Sequence, residues 1–318
     1  MKLIVSQSNC PYFNLATEAY FLQNTHENIC LIWQSESAVV CGKHQNICAE
    51  INYKFCIENH ILPARRLSGG GTVFHDLGNI NFTFIKNLET ELDKAVNYKQ
   101  FLEPIREALG KMGIETTYSH RDDLLLDGKK ISGNAQHVFQ QKKRVLHHGT
   151  LLYNSQLQNL SQALRSEGQY IDKAVKSVRS TVTNIRDYHD LGETQEFKKR
   201  FIQTLNQTLG ATHFLLPNEI EEITSLKNEK FIQENWILGY SPKYQHSRKF
   251  ELHGQQVQLD MYVEKGNLEK ISLKTTSGEE IFTNELDSCI GNPISLRTLE
   301  NAFKEHQNIH QDALLQFF

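Results

Sequence analysis

Two short runs, residues 29–33 (ICLIW) and 38–41 (AVVC), contain no polar side chain. Runs this short and this apolar read as buried strands. Residues 79–85 (NINFTFI) alternate, with Ile80, Phe82 and Phe84 on one face and Asn81 and Thr83 on the other. That period of two predicts a strand with one buried face. Over 94–112 the apolar positions Ala95, Tyr98, Leu102, Ile105, Leu109 and Met112 recur three or four apart, which predicts a helix. Pro104 inside it predicts a kink or a start one turn later. Leu124–Leu126, Asp127–Gly128 and Lys129–Ile131 read as a hairpin closed by a type I′ turn, and 148–153 as the next strand. Strands interleaved with helices make the first two-thirds an α/β arrangement.

After Asn184 the composition shifts. A polar helix is expected over 195–209, and 229–244 ends in a Gly, Ser and Pro cluster. Strands at 249–253 and 256–263, separated by Gly254–Gln255, precede a third at 267–275 and a helix at about 295–310. Ser295 suits its N-cap, which puts Leu296, Leu299 and Phe303 on one face. The expected division is a large α/β domain, 1–245, and a small α+β domain, 246–318. Two domains suit 318 residues at roughly 100–200 residues per domain.

Composition excludes several classes. Lys plus Arg is 34 against 37 for Asp plus Glu, a net charge of −3, so the chain does not grip bare nucleic acid through net charge. No run approaches the ~18 apolar residues of a membrane span, and the apolar start stops at Ser6, too short for a signal-peptide core. The six cysteines are scattered without a C-x-x-C pair, against a disulfide framework or zinc ribbon and for a reducing, cytoplasmic setting.

Two segments carry chemistry. In the first, Arg65–Arg66–Leu67–Ser68–Gly69–Gly70–Gly71, three glycines permit a close backbone approach to a ligand. Successive N–H groups there suit an anion, and the arginine forks match carboxylate or phosphate oxygens. It continues through His75 to Asn79, and it is neither a Walker A loop nor a Rossmann turn. In the second, Lys130–Ile131–Ser132–Gly133–Asn134–Ala135, a long cation projects beside small residues, placed to stabilise developing negative charge. His147 and His148 follow; strand neighbours point to opposite faces, so they would not share one metal.

In order and spacing these segments, with His147–His148–Gly149–Thr150, Trp33, Cys41–Asn46, Ser177–Asn184 and Gly239–Pro242, resemble the lipoate–protein ligase A family over most of the chain. The resemblance implies a mixed-sheet domain of the biotin/lipoate ligase type with a small α+β accessory domain. It implies that lipoate and MgATP form lipoyl-AMP, and that the lipoyl group passes to a lysine of a lipoyl domain (2-oxoacid dehydrogenase E2 subunits, glycine cleavage H protein). Lys130 is then the electrostatic stabiliser, with Lys129 the alternative. Arg66, Ser68, Gly69, Gly70, Gly71, His75, Asn79, Trp33, Gly133, Ala135, His148, Thr150 and Ser180 shape the adenylate site. Residues 176–183 resemble the loop that closes over the adenylate. Asp122 or Asp123 is the candidate for a metal, and Asp122 stands where bacterial ligases usually carry Asn. Lys142–Lys143–Arg144 is a candidate basic rim for an acidic partner. A monomer that binds neither membrane nor nucleic acid is expected. The alternative function is a lipoyl or octanoyl transferase of the same fold using a preformed acyl donor. Its thioester version needs a nucleophilic cysteine, and Cys41, in a buried strand, reads as a packed hydrophobe instead.

Overall fold

A computed structural model describes residues 1–88, 97–164 and 169–318. The strands are β1 (Lys2–Val5), β2 (Ile29–Trp33), β3 (Ala38–Cys41), β4 (Leu62–Arg65), β5 (Val73–His75), β6 (Asn79–Asn87), β7 (Thr117–Tyr118), β8 (Leu124–Leu126), β9 (Lys129–Ser132), β10 (Asn134–Phe139), β11 (Arg144–Leu152), β12 (Gln169–Asp172), β13 (Thr212–His213), β14 (Tyr244–Leu252), β15 (Gln255–Glu264) and β16 (Asn267–Thr275). The α-helices are α1 (Pro11–Asn24), α2 (Ile47–Glu50), α3 (Tyr53–Glu58), α4 (Tyr98–Lys111), α5 (Leu157–Ala163), α6 (Thr194–Leu209), α7 (Pro217–Leu226), α8 (Glu234–Ile237), α9 (Thr283–Cys289), α10 (Leu296–Ala302) and α11 (Gln311–Leu314).

The main sheet has the order β10-β11-β6-β2-β1-β13. It is mixed: β1 pairs parallel with β2 and β13, whereas β2, β6, β11 and β10 pair antiparallel. The all-apolar strand β2 is covered on both faces, as its composition requires. Cys30 and Ile32 join a core with Phe101 and Ile105 of α4 and Phe197 and Phe201 of α6. Ile29, Leu31 and Trp33 join a second core with Leu15, Ala19 and Leu22 of α1. The second sheet, β4-β3-β5, presents β5 as an edge. The third, β7-β8-β9, carries the expected I′ turn, with φ of 49° at Asp127 and 72° at Gly128.

Four expectations are corrected. β6 has no solvent face, since Asn81 and Thr83 are 2% and 0% exposed and look into the protein. Helix α4 starts at Tyr98, where the Asn97 side chain accepts from Lys99 N–H, and runs through Pro104; Ala95 lies outside the described residues. The turn between β14 and β15 is His253–Gly254, one residue earlier than expected, with φ of 50° and 79°. The C-terminal helix α10 is capped by Ser295 but stops at Ala302, with Phe303 as its C-cap packed against Phe282 and Phe317.

The fourth sheet, β12-β14-β15-β16, is wholly antiparallel. Position 245 falls inside β14, and β12 comes from well upstream. One apolar cluster runs from β3 and α3 into this sheet, and the Phe318 ring stacks on Tyr53 at 4.1 Å. Among the described residues no helix is long and apolar enough to cross a membrane.

Candidate active site

The glycine loop spans from β4 to β5, and its two arginines are turned inward. Arg65 is fully buried. It donates to the carbonyls of Gly42, Lys43, Gln45, Trp236 and Ile237 and to Ser241 Oγ, at 2.7–3.1 Å. It thus ties the loop to α8 and the following turn rather than offering a free fork. Arg66 donates to the carbonyls of Val40, Gly69 and Gly71 at 2.6–2.8 Å and to Ser68 Oγ at 2.9 Å. Burial lowers its pKa to about 10. Gly70 has φ of +89°, a conformation costly for any residue with a Cβ. With its carbonyls drawn to Arg66, the loop is held as a fixed curve around that side chain. The expectation that these forks grip substrate oxygens is corrected: Arg65 is spent on carbonyls of the segment after β3 and of α8, and Arg66 on those of Val40 and the loop, because a buried guanidinium must find acceptors.

Next to the loop lies a buried relay. His148, on β11, places Nε2 2.6 Å from Ser68 Oγ and Nδ1 3.0 Å from both oxygens of Glu18 on α1. Glu18 also accepts from Thr83 Oγ1 at 2.5 Å, and Thr83 accepts from Trp33 Nε1 at 3.3 Å. Arg66 Nε–H donates to Ser68 Oγ, so the hydroxyl lies between the guanidinium and the His148 ring, whose other nitrogen faces Glu18. His147 points the other way, into the aromatic face of Phe101 at 5.0 Å, so the two histidines occupy opposite faces as expected.

A cavity of about 390 Å³ opens beside these groups. Trp33, Arg66, Gly70, Gly71, His75, Lys130, Gly133, Ala135, His148, Thr150 and Ser180, all expected at the site, line it. Ser68, Gly69 and Asn79 do not. Ser68 supports the wall through His148, Gly69 gives its carbonyl to Arg66, and the Asn79 amide donates to Asn81 Oδ1 at 3.0 Å. His75 packs edge-on to Trp33 at 5.4 Å, and burial lowers its pKa to about 3, with Arg66 and His148 adding to the effect. Several polar atoms in and around this wall have no partner among the described residues: His75 Nδ1, Asn79 Oδ1, Asn81 Nδ2 and Asn134 Oδ1. Such a set is what a cavity with a polar occupant presents.

Lys130 Nζ sits 3.1 Å from Asp123 Oδ1 at the cavity edge. Gly133 makes room for it, since a Cβ there would lie 3.1 Å from Lys130 Cε. Lys129 lines neither this cavity nor the next; its amine bonds the Tyr188 hydroxyl at 3.0 Å. Asp122 also lies off the cavity, with Oδ1 3.9 Å from Lys99 Nζ. Its φ is 58°, a left-handed conformation that Asn and Asp tolerate best, so Asp answers the same backbone demand as Asn.

A second cavity of about 450 Å³ adjoins the first. Its walls are Val73 and Phe74 on the β5 edge, leucines 152, 157, 160 and 164, and residues 176–180. Lys130, Gly133, Thr150 and Ser180 line both cavities. The 176–183 segment is pinned over the partition. Ser177 Oγ accepts from Thr72 N–H at 2.8 Å and donates to Glu50, while Lys130 exchanges backbone bonds with Thr181 and Thr183. Asp123 and Glu50 are the carboxylates lining the two cavities, and no cluster of three or more metal-ligating side chains occurs among the described residues. A Mg2+ ion there would need one or two of these carboxylates plus substrate oxygens, the usual mode for that ion.

Two further expectations are settled by burial and distance. Cys41 is fully buried, and desolvation raises its thiol pKa, so it is no accessible nucleophile. Arg144 is also fully buried and donates to the carbonyls of Thr25 and Glu27. Lys142 and Lys143 sit at the β10–β11 turn, beyond the end of β10 at Phe139, which is itself about 14 Å along the strand from Ala135 at 3.4 Å per residue. The expected rim at 142–144 is therefore away from the cavity. Sequence reasoning missed Glu18 as a site residue, placed Tyr98 only on a helix and Asn81 only on a strand face, and took Ser177 only as part of the closing loop. The available signal for two of them was a carboxylate within apolar α1 and a polar face on β6.

Residues 10–206 match the family model for the lipoyl protein ligase A/B catalytic domain. The chain is 36% identical to lipoate-protein ligase LplJ of Bacillus subtilis over 271 residues, covering 82% of this chain and 80% of that one. Its fold is like that of P. falciparum LipL1 in complex with lipoate, with a TM-score of 0.64 and 23% identity over 98% of this chain and 96% of that one. It is also like a lipoate-protein ligase A bound with ATP, with a TM-score of 0.64 and 22% identity over 75% of this chain and 98% of that one.

Proposed function

The chain belongs to the lipoyl protein ligase A/B catalytic domain family, and from that premise we propose that its two adjoining cavities hold the acid and the nucleotide of an acyl-adenylation reaction. The activity is ATP-dependent lipoate–protein ligation. A lipoate carboxylate oxygen attacks the α-phosphorus of ATP and pyrophosphate leaves. The amine of an acceptor lysine then attacks the acyl carbon and AMP leaves.

The observation that carries the assignment is the shared wall. Lys130, Gly133 and Thr150 line both cavities, so a carboxylate in one meets a phosphate in the other beside the Lys130 amine. Two anions brought together repel, and a cation held at that point offsets the repulsion and the charge that develops in the transition state. The lipoyl chain belongs in the first cavity, against Leu15, Trp33 and Val40. The nucleotide belongs in the second, where β5, an edge strand, offers unpaired backbone groups to a base. Asp123, on the wall of the first cavity beside Lys130, would help hold a Mg2+ ion, which would supply neutralisation of phosphate charge. The wall of 176–183 shields the mixed anhydride from water. The acceptor is a lipoyl domain of a 2-oxoacid dehydrogenase E2 or an H protein. The accessory unit starts with β14, at Tyr244 rather than at 246, and the enzyme works as a cytoplasmic monomer.

Pyrophosphate release with lipoate and MgATP, with and without a lipoyl-domain acceptor, tests the reading. Lipoate-dependent release is expected. No release, with lipoylation from synthetic lipoyl-adenylate, would place the chain with the transferases.

A further inference from the structure

Among the described residues, five lysine and arginine side chains line the two adjoining cavities: Arg66, Arg121, Lys130, Lys176 and Arg179. Arg66 is held by Val40 and by its own loop. Arg121 lines only the first cavity and Arg179 only the second. Lys130 and Lys176 are the two that line both. Lys176 alone of the five also lines a third cavity, of about 330 Å³, whose walls include Asn46, Glu50 and Asp172. One side chain thus meets the two cavities assigned to the acid and the nucleotide and a third that carries carboxylates.

The backbone that carries Lys176 is fixed on both sides. The Val175 carbonyl accepts from the Gln45 amide at 3.2 Å. Ser177 N–H donates to Glu50 Oε1 at 3.2 Å, and Ser177 Oγ accepts from Thr72 N–H at 2.8 Å. With 175 and 177 tied down, what can move at 176 is the exposed side chain. A lysine is a compact charge on a flexible four-carbon stem, a form suited to following charge that shifts during a reaction. Glu50 and Asp172 give its ammonium carboxylates to face when no phosphate is bound. Asp172 is itself held, accepting from Ala174 N–H at 3.0 Å and from the Asn46 amide at 3.1 Å. Lys130 is placed differently. Its amine is drawn to Asp123, a wall of the first cavity, and it lines no part of the third. The two cations therefore meet the partition from different sides.

We propose that Lys176 is a second catalytic cation, whose ammonium contacts the β- and γ-phosphate oxygens of ATP across the partition from Lys130 and stabilises the departing pyrophosphate. This deepens the acyl-adenylation reading above and rests on it. As the carboxylate oxygen bonds to the α-phosphorus, the bond from that phosphorus to the oxygen bridging it to the β-phosphorus breaks. The electron pair of that bond leaves on pyrophosphate. Negative charge therefore develops at two places, the α-phosphoryl oxygens and the leaving oxygen. Lys130 serves the first, and Lys176, keeping its proton, neutralises the second.

The test separates the half-reactions. With lipoate and MgATP, Lys176→Gln should form lipoyl-adenylate about tenfold to a hundredfold more slowly than the native protein. In the reverse direction, from lipoyl-adenylate and magnesium pyrophosphate to ATP, its KM for pyrophosphate should rise about tenfold. Transfer from supplied lipoyl-adenylate to a lipoyl domain should be slowed far less, because no pyrophosphate takes part. Lys176→Arg keeps a charge that pairs with phosphate oxygens and should recover most of the adenylation rate. A native adenylation rate and pyrophosphate KM in Lys176→Gln would overturn the proposal. Equal losses in adenylation and transfer would also overturn it, by marking Lys176 as a support of the loop. So would a Lys176→Arg variant no faster than Lys176→Gln. Failure of the native protein to form lipoyl-adenylate from lipoate and MgATP, with transfer from supplied adenylate intact, would instead remove the adenylation reading beneath it.

Discussion

β6 and β15 are both alternating strands, yet they fold into opposite environments. In β15 the apolar positions Val257, Leu259, Met261 and Val263 are buried, while Gln256 and Asp260 face solvent. In β6 all seven residues from Asn79 to Ile85 are buried. Its apolar face packs on α4 and α6, and its polar face, Asn81 and Thr83, meets the cavity and the Glu18–His148 relay. Alternation therefore reports which residues are polar, not which are wet. Where a polar face is buried, its hydrogen bonds must be supplied internally, and here the internal partners form the wall of the site.

The largest expected effect follows from that contrast between buried and exposed polarity at the site itself. Lys130→Ala should lower the rate of adenylate formation by roughly 10²–10³. Its side chain is only partly buried, so the denaturation midpoint should hardly move; a full-rate variant would refute its role. Acid should come next. His75 and His147 each have a pKa lowered to about 3, chiefly by burial. The unfolded chain takes up protons as pH falls through about 6.5, whereas the native state does not until about 3. Their stabilisation is thus complete above pH 6.5 and is lost as pH falls, at about 1.4 kcal/mol per pH unit for each imidazole. Urea titrations between pH 7.5 and 4.5 should show this slope, and His147→Gln should flatten it. A slope unchanged in that variant would contradict the buried, neutral imidazole.

The direct break of the strand comparison is Thr83→Val on β6, which removes the Trp33–Thr83–Glu18 link and should cost about 1–3 kcal/mol. The corresponding change on the open strand, Gln256→Val, should stay within about 0.5 kcal/mol. Equal losses in matched denaturation curves would erase the distinction between the two strands.

Much of the fold is legible locally. The apolar runs of β2 and β3, the Asp127–Gly128 turn and the Ser295 cap each follow from steric and hydrogen-bonding preferences of a few adjacent residues. The glycine loop and Lys130 were legible as chemistry because a triple glycine and a strand-borne lysine beside small residues are unusual in themselves. The resemblance to a family supplied their order and roles. The roles of Arg65 and Arg66 were not legible. In the sequence they are an adjacent pair of long cations, and only the position of distant carbonyls, such as those of Trp236 and Ile237, decides that one holds the chain together and the other the loop. The Glu18–His148 and Glu50–Ser177 contacts are of the same kind, assembled from segments more than a hundred residues apart.

The sequence by itself determined the elements, the buried strands and the residue types able to handle an acid and a phosphate, because backbone preference and burial act on near neighbours. The tertiary structure alone decided which charges are used internally and which stay at the surface. A buried charge is held by whatever acceptors surround it, and those come from the whole chain.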